Sequence, residues 1–455
     1  MKRLPDCREM SVGETITEEF DGESYYSVRL IGVEPYFEPF YQSGAWFNIF
    51  WKARVDVEVN GIKASLWCKP YQLPVNVAGL NLSVDLVKGV EGGLYSCQLA
   101  KDIRFSARDA KLPWITEKYC FPIVGYKWRC SNYAHTWNGF VSVNSQAKMI
   151  YYHRGEDFGA VPDRLMFAAM DDSVMERVPG ESGDQDSNHI ITKDKDYQYC
   201  YSHANAPFPA DEFYKGRELK KGEAVKLTGN TWNGRPVRDP HLHISIGDHS
   251  GTEQMNTFFP LLYAYKNSYP DELLVTAEGF RFCKEGDTIT LDASAAEEIN
   301  GNKELDYVWE LSDGTKRTGM RVSVCYPQPG TYTEKVIVSD RTGRRGVDHV
   351  IVSVFSTQGS ERPFCWLNVY PMRAIKVMDD VEFLVGFYNM DEAVIDFGDG
   401  ATEKTSDGQR HFHSYSVPRY YTISVIGAGP GGPGIFKLEI LVEESDECRN
   451  NTGMD

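Results

Sequence analysis

Over most of this chain, apolar side chains recur at every second position, and no other feature limits its fold as strongly. Successive side chains of a strand point to opposite faces, so a period of two marks half-buried sheet. Val55, Val57 and Val59 run into Asn60-Gly61, after which Ile62, Ala64 and Leu66 resume the alternation. Two such runs around Asn-Gly predict a hairpin, because a type I′ turn needs positive φ at both central residues. Leu80, Leu82, Val84 and Leu86 alternate again, and residues from about 15 to 115 read as a β-rich module with no clear helix and no catalytic constellation. Glycine (40), tyrosine (26) and phenylalanine (23) are abundant, the mixture that sheets and their turns require. The 455 residues leave room for about three to four domains of roughly 100–150 residues each. The expected fold class is mainly β and multi-domain, built of antiparallel sheet.

Several function classes drop out early. No apolar run approaches the ~18 residues of a membrane-spanning helix, so no transmembrane segment is expected. A formal charge of −17 and a pI near 5.1 argue against a general nucleic-acid binder, which needs a basic face. The ten cysteines form no CxxC pair, which removes the zinc-ribbon and thioredoxin-like readings. Their scattered, even number permits disulfides in an oxidising compartment, or equally buried free thiols. Met1-Lys2-Arg3 is positively charged but has no apolar core behind it, so it is not a complete signal peptide. Either a leader has been removed, the start is misplaced, or the protein stays inside. No Gly-x-Ser-x-Gly elbow of a serine hydrolase is present.

The end of the chain repeats itself. Trp309-Glu310-Leu311-Ser312-Asp313-Gly314 is echoed by Ile395-Asp396-Phe397-Gly398-Asp399-Gly400, with 86 residues between the two Asp-Gly pairs (313 to 399). Gly330-Thr331-Tyr332-Thr333 is echoed by Arg419-Tyr420-Tyr421-Thr422, and alternating strands follow both. Such a fixed spacing marks two copies of one small β-sandwich. The copies resemble PKD (polycystic-kidney-disease-type) domains, the second through Phe397 to Gly400 and His413-Ser414-Tyr415, the first more loosely. The resemblance implies spacers or binding units outside the cytoplasm. Gly427 to Gly434 lacks the lysine and the strand–loop–helix setting of a phosphate loop and reads as a loop between two strands.

Residues 118–250 carry the chemistry. In Asp239-Pro240-His241-Leu242-His243-Ile244-Ser245-Ile246, a strand would put His241, His243 and Ser245 on one face and Leu242, Ile244 and Ile246 on the other. The aliphatic face buries, and two imidazoles stand side by side, one able to bind metal and the other to reach substrate. Tyr197, Tyr199, Tyr201 and His203 likewise share a parity, which brings a third histidine to the end of an aromatic strand face. His153-Arg154-Gly155-Glu156-Asp157 places a histidine four residues before an acid, in a strand leading into a turn. His, Asp and His supply three protein ligands and leave a fourth position for water, the form of a catalytic zinc site.

These segments resemble the lysostaphin-type zinc metallopeptidases, peptidoglycan endopeptidases whose signature is His-x-x-x-Asp, an isolated downstream His, and His-x-His. Tyr201-Ser202-His203, the Leu165 to Val174 stretch and Lys221 to Thr231 match the connecting sequence, over about 120–250. The resemblance implies that His153, Asp157 and His243 bind one Zn²⁺ and that His203 and His241 are catalytic. Asp239 and Ser245 depart from the family, which usually has Gly and often Glu there. It further implies an extracytoplasmic protein (secreted, periplasmic or at the cell surface) that cuts peptidoglycan or another peptide substrate. The PKD-like pair would contact a surface polysaccharide or protein.

The layout expected is a β-rich module of unknown role over 1–116, the peptidase domain over 117–265, PKD-like sandwiches over 266–357 and 358–446, and a tail over 447–455. Insert 180–188 reads as a solvated loop that can wall a groove. His411-Phe412-His413 has no acid partner by spacing, with His413 a structural turn residue, and His135, His189, His249 and His349 read as surface or local hydrogen-bonding groups. A rival reading keeps the peptidase-like domain as a silent scaffold in a surface-binding or adhesion protein, and a third makes it a zinc hydrolase of other proteins.

Overall fold

The computed structural model describes residues 4–22, 24–88, 99–128, 141–144, 149–152, 155–179, 189–232, 235–247, 256–301 and 304–445. Nearly all the described secondary structure is strand, as the alternation requires, and the two helices are short (Phe258–Ser268 and Ala295–Asn300).

The first region pairs two antiparallel sheets. One holds Thr15–Glu19, Tyr25–Gln42, Ala45–Val59 and Ile62–Cys68; the other holds Asp6–Met10, Ile103–Asp109, Leu80–Val87 and Val75–Val77. Asn60 and Gly61 take φ of 48° and 82° and set Val59 opposite Ile62, the hairpin that Asn-Gly dictates.

The central sheet has six antiparallel strands, in the order Glu156–Gly159, His241–Gly247, Gln198–Ser202, Ile190–Lys193, Ser173–Arg177, Glu218–Leu219. Leu242, Ile244 and Ile246 are fully buried on one face, where Phe158 lies opposite Leu242. Phe158 packs edge-on against Phe121 and Tyr126, whose ring centroids lie 5.5 and 5.3 Å away, and Tyr265 of the first helix closes on Phe121 at 5.0 Å. Each such side chain contributes about 1.5–3 kcal/mol of burial. That buried face fixes which way the next residue along each strand must point.

In the C-terminal region, one large sheet includes Phe280–Lys284, Arg345–Phe355, Gly330–Asp340, Gly432–Glu443, Arg419–Gly429, Glu392–Asp396 and Thr402–Thr405. The two sequence copies meet inside it: Gly330–Asp340 and Gly432–Glu443 run parallel, with Thr331 opposite Gly434. Phe364–Tyr370, Val381–Tyr388 and Arg410–His413 form a separate three-stranded sheet.

Some expectations are corrected. The stretch from Gly427 to Gly434 is mostly strand, turning at Pro430-Gly431 with Gly429 opposite Gly432. Its glycines admit close neighbours: a Cβ would lie 2.2 Å from the Met390 Cε at Gly427 and 2.0 Å from the Asn389 carbonyl oxygen at Gly429. His411 and His413 do have acid partners, Glu403 at 2.7 Å and Asp399 at 2.8 Å, and the His413 ring stacks on Phe397 at 4.3 Å. His349 is buried, which removes the surface half of its reading and leaves the local one. Among the described residues, Cys7, Cys68, Cys120, Cys200, Cys283, Cys325 and Cys365 form no disulfide. Cys97, Cys130, Cys448, His135, His249 and insert 180–188 lie outside the described residues.

Candidate functional site

Four of the five side chains singled out in the sequence converge at one end of the central sheet. Asp157 lies opposite His243, and Gly159 opposite His241, so the parity that buries Phe158 and Leu242 turns Asp157, His241 and His243 to the other face. Asp157 Oδ1 stands 2.8 Å from His243 Nδ1 and 3.5 Å from His241 Nε2. Ser202 is opposite His243 on the strand's other side, and the chain leaves the sheet one residue later. His203 adopts φ of 76°, so the strand parity ends there, and its ring comes to 4.4 Å from that of His241 and 6.3 Å from that of His243. His153, the remaining candidate, lies outside the described residues.

Hydrogen bonds fix both histidines attributed to catalysis. The Nδ1–H of His241 donates to the Asp239 carbonyl at 2.7 Å, and that of His203 to the Thr231 carbonyl at 3.3 Å, so Nε2 is the second ring nitrogen in each. Their electrostatic settings differ. Burial, reinforced by the charges of His241 and His243, holds His203 well below the ordinary imidazole value. Burial also opposes charge on His241, but the Asp157 and Asp239 carboxylates and the Asp239 carbonyl outweigh it and raise that imidazole. Asp239 in turn is raised by its own burial. Ser245, the second departure from the family pattern, is buried beside Cys200 in the adjacent strand.

Gly155 explains how the chain can reach this site. It takes φ of 129°, and a Cβ there would meet the Ile244 carbonyl oxygen at 2.3 Å and the His243 ring at 2.9 Å. Only glycine lets the segment ahead of Asp157 pass directly over that imidazole.

Sequence reasoning missed two neighbours. Trp232, 37% exposed, lies against His203 at 5.1 Å and edge-on to His189 at 4.7 Å. His189 Nδ1 is 2.7 Å from Ser202 Oγ and 3.3 Å from Cys200 Sγ. Nothing in the spacing signals these contacts: His189 stands just ahead of the Ile190–Lys193 strand that pairs with Gln198–Ser202, and Trp232 is brought in by the Thr231 N–H donating to the His203 carbonyl at 3.4 Å.

The donors suit a metal in kind. Two ligands on one tetrahedral zinc at 2.0–2.1 Å lie about 3.3 Å apart, whereas Asp157 Oδ1 and His243 Nδ1 stand in hydrogen-bond contact at 2.8 Å and would have to part slightly to share an ion. Among the described residues no group of three or more His, Cys, Asp or Glu is arranged to hold a metal ion.

Among solved structures, parts of this chain are similar to the antimicrobial peptidase lysostaphin from Staphylococcus simulans, at 13% identity over 51% of this chain and 91% of that one (TM-score 0.24). The fibronectin(III)-like modules of Clostridium thermocellum CbhA match at 16% identity over 38% and 95% (TM-score 0.15). Bacteroides ovatus SGBP-B, in complex with a mixed-linkage heptasaccharide, matches at 14% over 38% and 45% (TM-score 0.17). No helix among the described residues is long and apolar enough to cross a membrane. Residues 274–354 match the PKD domain family model, and there the sequence repeat and the family comparison agree.

Proposed function

We propose that residues 117–265 are a zinc-dependent endopeptidase domain that hydrolyses peptide bonds, in peptidoglycan stem peptides or cross-bridges. In this reading residues 1–116 form a separate β module, and 266–357 and 358–446 are PKD-like units that hold the enzyme at an extracytoplasmic surface, on polysaccharide or protein. One observation carries the reading: segments far apart in the chain bring Asp157, His203, His241 and His243 to one sheet end, with Asp157 and His243 in direct contact. Asp157, His243 and His153 would hold the ion. When bound, zinc supplies a Lewis acid and lowers the pKa of a coordinated water to about 7.

The chain's own groups do the rest. His203 and His241, each with Nδ1–H anchored on a carbonyl, offer Nε2 to take or give a proton and to stabilise a developing oxyanion. Asp157 and His203 are buried, which keeps bulk water from screening these charges. The PKD match at 274–354 supports the surface attachment.

The test is metal analysis of the full chain purified without chelator, with peptidoglycan digests read by mass spectrometry. About one zinc per chain and new peptide termini are expected; absence of zinc overturns the reading. Zinc without cleavage of any peptide would leave the silent-scaffold alternative in its place.

A further inference from the structure

We propose that Asn368, in the last sheet of the molecule, is a positioning residue for the candidate zinc site; the proposal rests on the peptidase reading above. The ladder between Glu156–Gly159 and His241–Gly247 ends at Ala160 and Pro240, where the Ala160 N–H donates to the Pro240 carbonyl at 3.2 Å. In an antiparallel pair the reciprocal bond would come from residue 240, but proline has no N–H, so the Ala160 carbonyl needs another donor. Asn368, fully buried, supplies it. Its Nδ2 donates to Ala160 O at 3.1 Å and to Pro240 O at 3.0 Å, bridging the two strands one residue from His241 and three from Asp157.

The surrounding face is built to hold that amide. The Phe364–Tyr370 strand is buried through Val369, and Cys365 points the other way, its thiol on the Val425 carbonyl. On the side of Asn368, Gly386 faces Trp366, where a Cβ would lie 2.2 Å from the indole, so the two strands close tightly. Glu382, also buried on that side, accepts from Arg164 at 2.7 Å. Arg238 donates to the Phe387 carbonyl at 3.0 Å and lies 4.8 Å over the Tyr388 ring. Residues 160 and 164, which follow Asp157, and 238 and 240, which precede His241, are thus all held by the same distant sheet. The last unit is a supporting wall of the site rather than a spacer beyond it.

The test compares full-length wild type with Asn368→Ala and with Leu367→Ala, a control on the opposite face of the same strand. Zn²⁺ affinity is measured by chelator competition, the absorption spectrum with Co²⁺ replacing zinc, and hydrogen exchange over 155–160 and 240–247. Asn368→Ala should weaken Zn²⁺ binding about tenfold, the scale of losing an outer partner of a metal site. It should also shift the Co²⁺ spectrum and speed exchange in both segments at least tenfold, while Leu367→Ala, which loses core packing, lowers overall stability but leaves the Zn²⁺ affinity and the Co²⁺ spectrum within twofold. Unchanged affinity and exchange in Asn368→Ala, or equal changes in Leu367→Ala, overturn the proposal. If wild type binds no metal, the peptidase reading falls, and the exchange rates alone decide whether Asn368 holds the ladder end.

Discussion

Gly155 is where the site tolerates least change. A methyl group added there meets a backbone carbonyl, which cannot swing aside, and the ring of His243. Gly155→Ala should therefore cost about 1–3 kcal/mol, the usual range for overpacking. It should also weaken zinc binding, though less than loss of the ligand in Asp157→Ala, as read by denaturation and chelator competition. His241→Ala should remove hydrolysis while sparing most of the metal; equal loss of both would make His241 a ligand. Asp85 offers a test independent of the site. Burial raises it from 3.8 to about 7, against the Ser106 hydroxyl and Arg104, so its contribution is fully present below about pH 4 and is lost as pH rises through 7. Asp85→Asn removes that loss: relative to wild type, its unfolding free energy should improve by a few kcal/mol between pH 4 and pH 8. At this scale the sequence was informative where period two applied. The facing of His241 and His243 follows from Leu242 and Ile244 needing burial, whereas Trp232 and His189 reach His203 and Ser202 through pairings between distant segments that no local pattern encodes.

Among elements, the Tyr25–Gln42 and Ala45–Val59 hairpin shows where reading stopped. Its turn and alternation were legible; what its far end touches was not. Phe40 packs against Phe282 and Phe355 at 5.2 and 5.5 Å, and Glu38 accepts from Arg281 Nε at 2.7 Å and from the Phe282 N–H at 2.8 Å, across 243 residues or more. Both members of the ion pair are buried, and without Glu38 the guanidinium keeps Glu278 at 2.5 Å and the Thr290 carbonyl at 2.7 Å while the Phe282 N–H loses its acceptor. Glu38→Ala should cost about 1–3 kcal/mol in denaturant unfolding. Glu38→Gln, which keeps an acceptor for the Phe282 N–H, should cost less. The glycine-rich run shows the converse. Without the lysine or setting of a phosphate loop it reads as a loop between strands, but close approach of Met390 and Asn389 makes glycine the residue a strand requires there.

Across the whole molecule, the repeat was visible as a spacing, but not that its copies share a sheet. Thr331 pairs with Gly434, Thr333 Oγ1 donates to the Ile435 carbonyl at 2.8 Å, and Glu439 of one copy binds both Lys335 and Arg345 of the other. Calorimetry should therefore show the two copies melting in one transition, and Glu439→Ala should lower that transition as a unit instead of splitting it.

A seam of this kind changes what the C-terminal half can do mechanically. Load applied to one copy reaches the other through paired backbone and paired charges as well as through the connecting segment 356–363. Whatever grips this half is therefore held at a set distance from the sheet that Asn368 braces, as a rigid gauge holds a tool to its work.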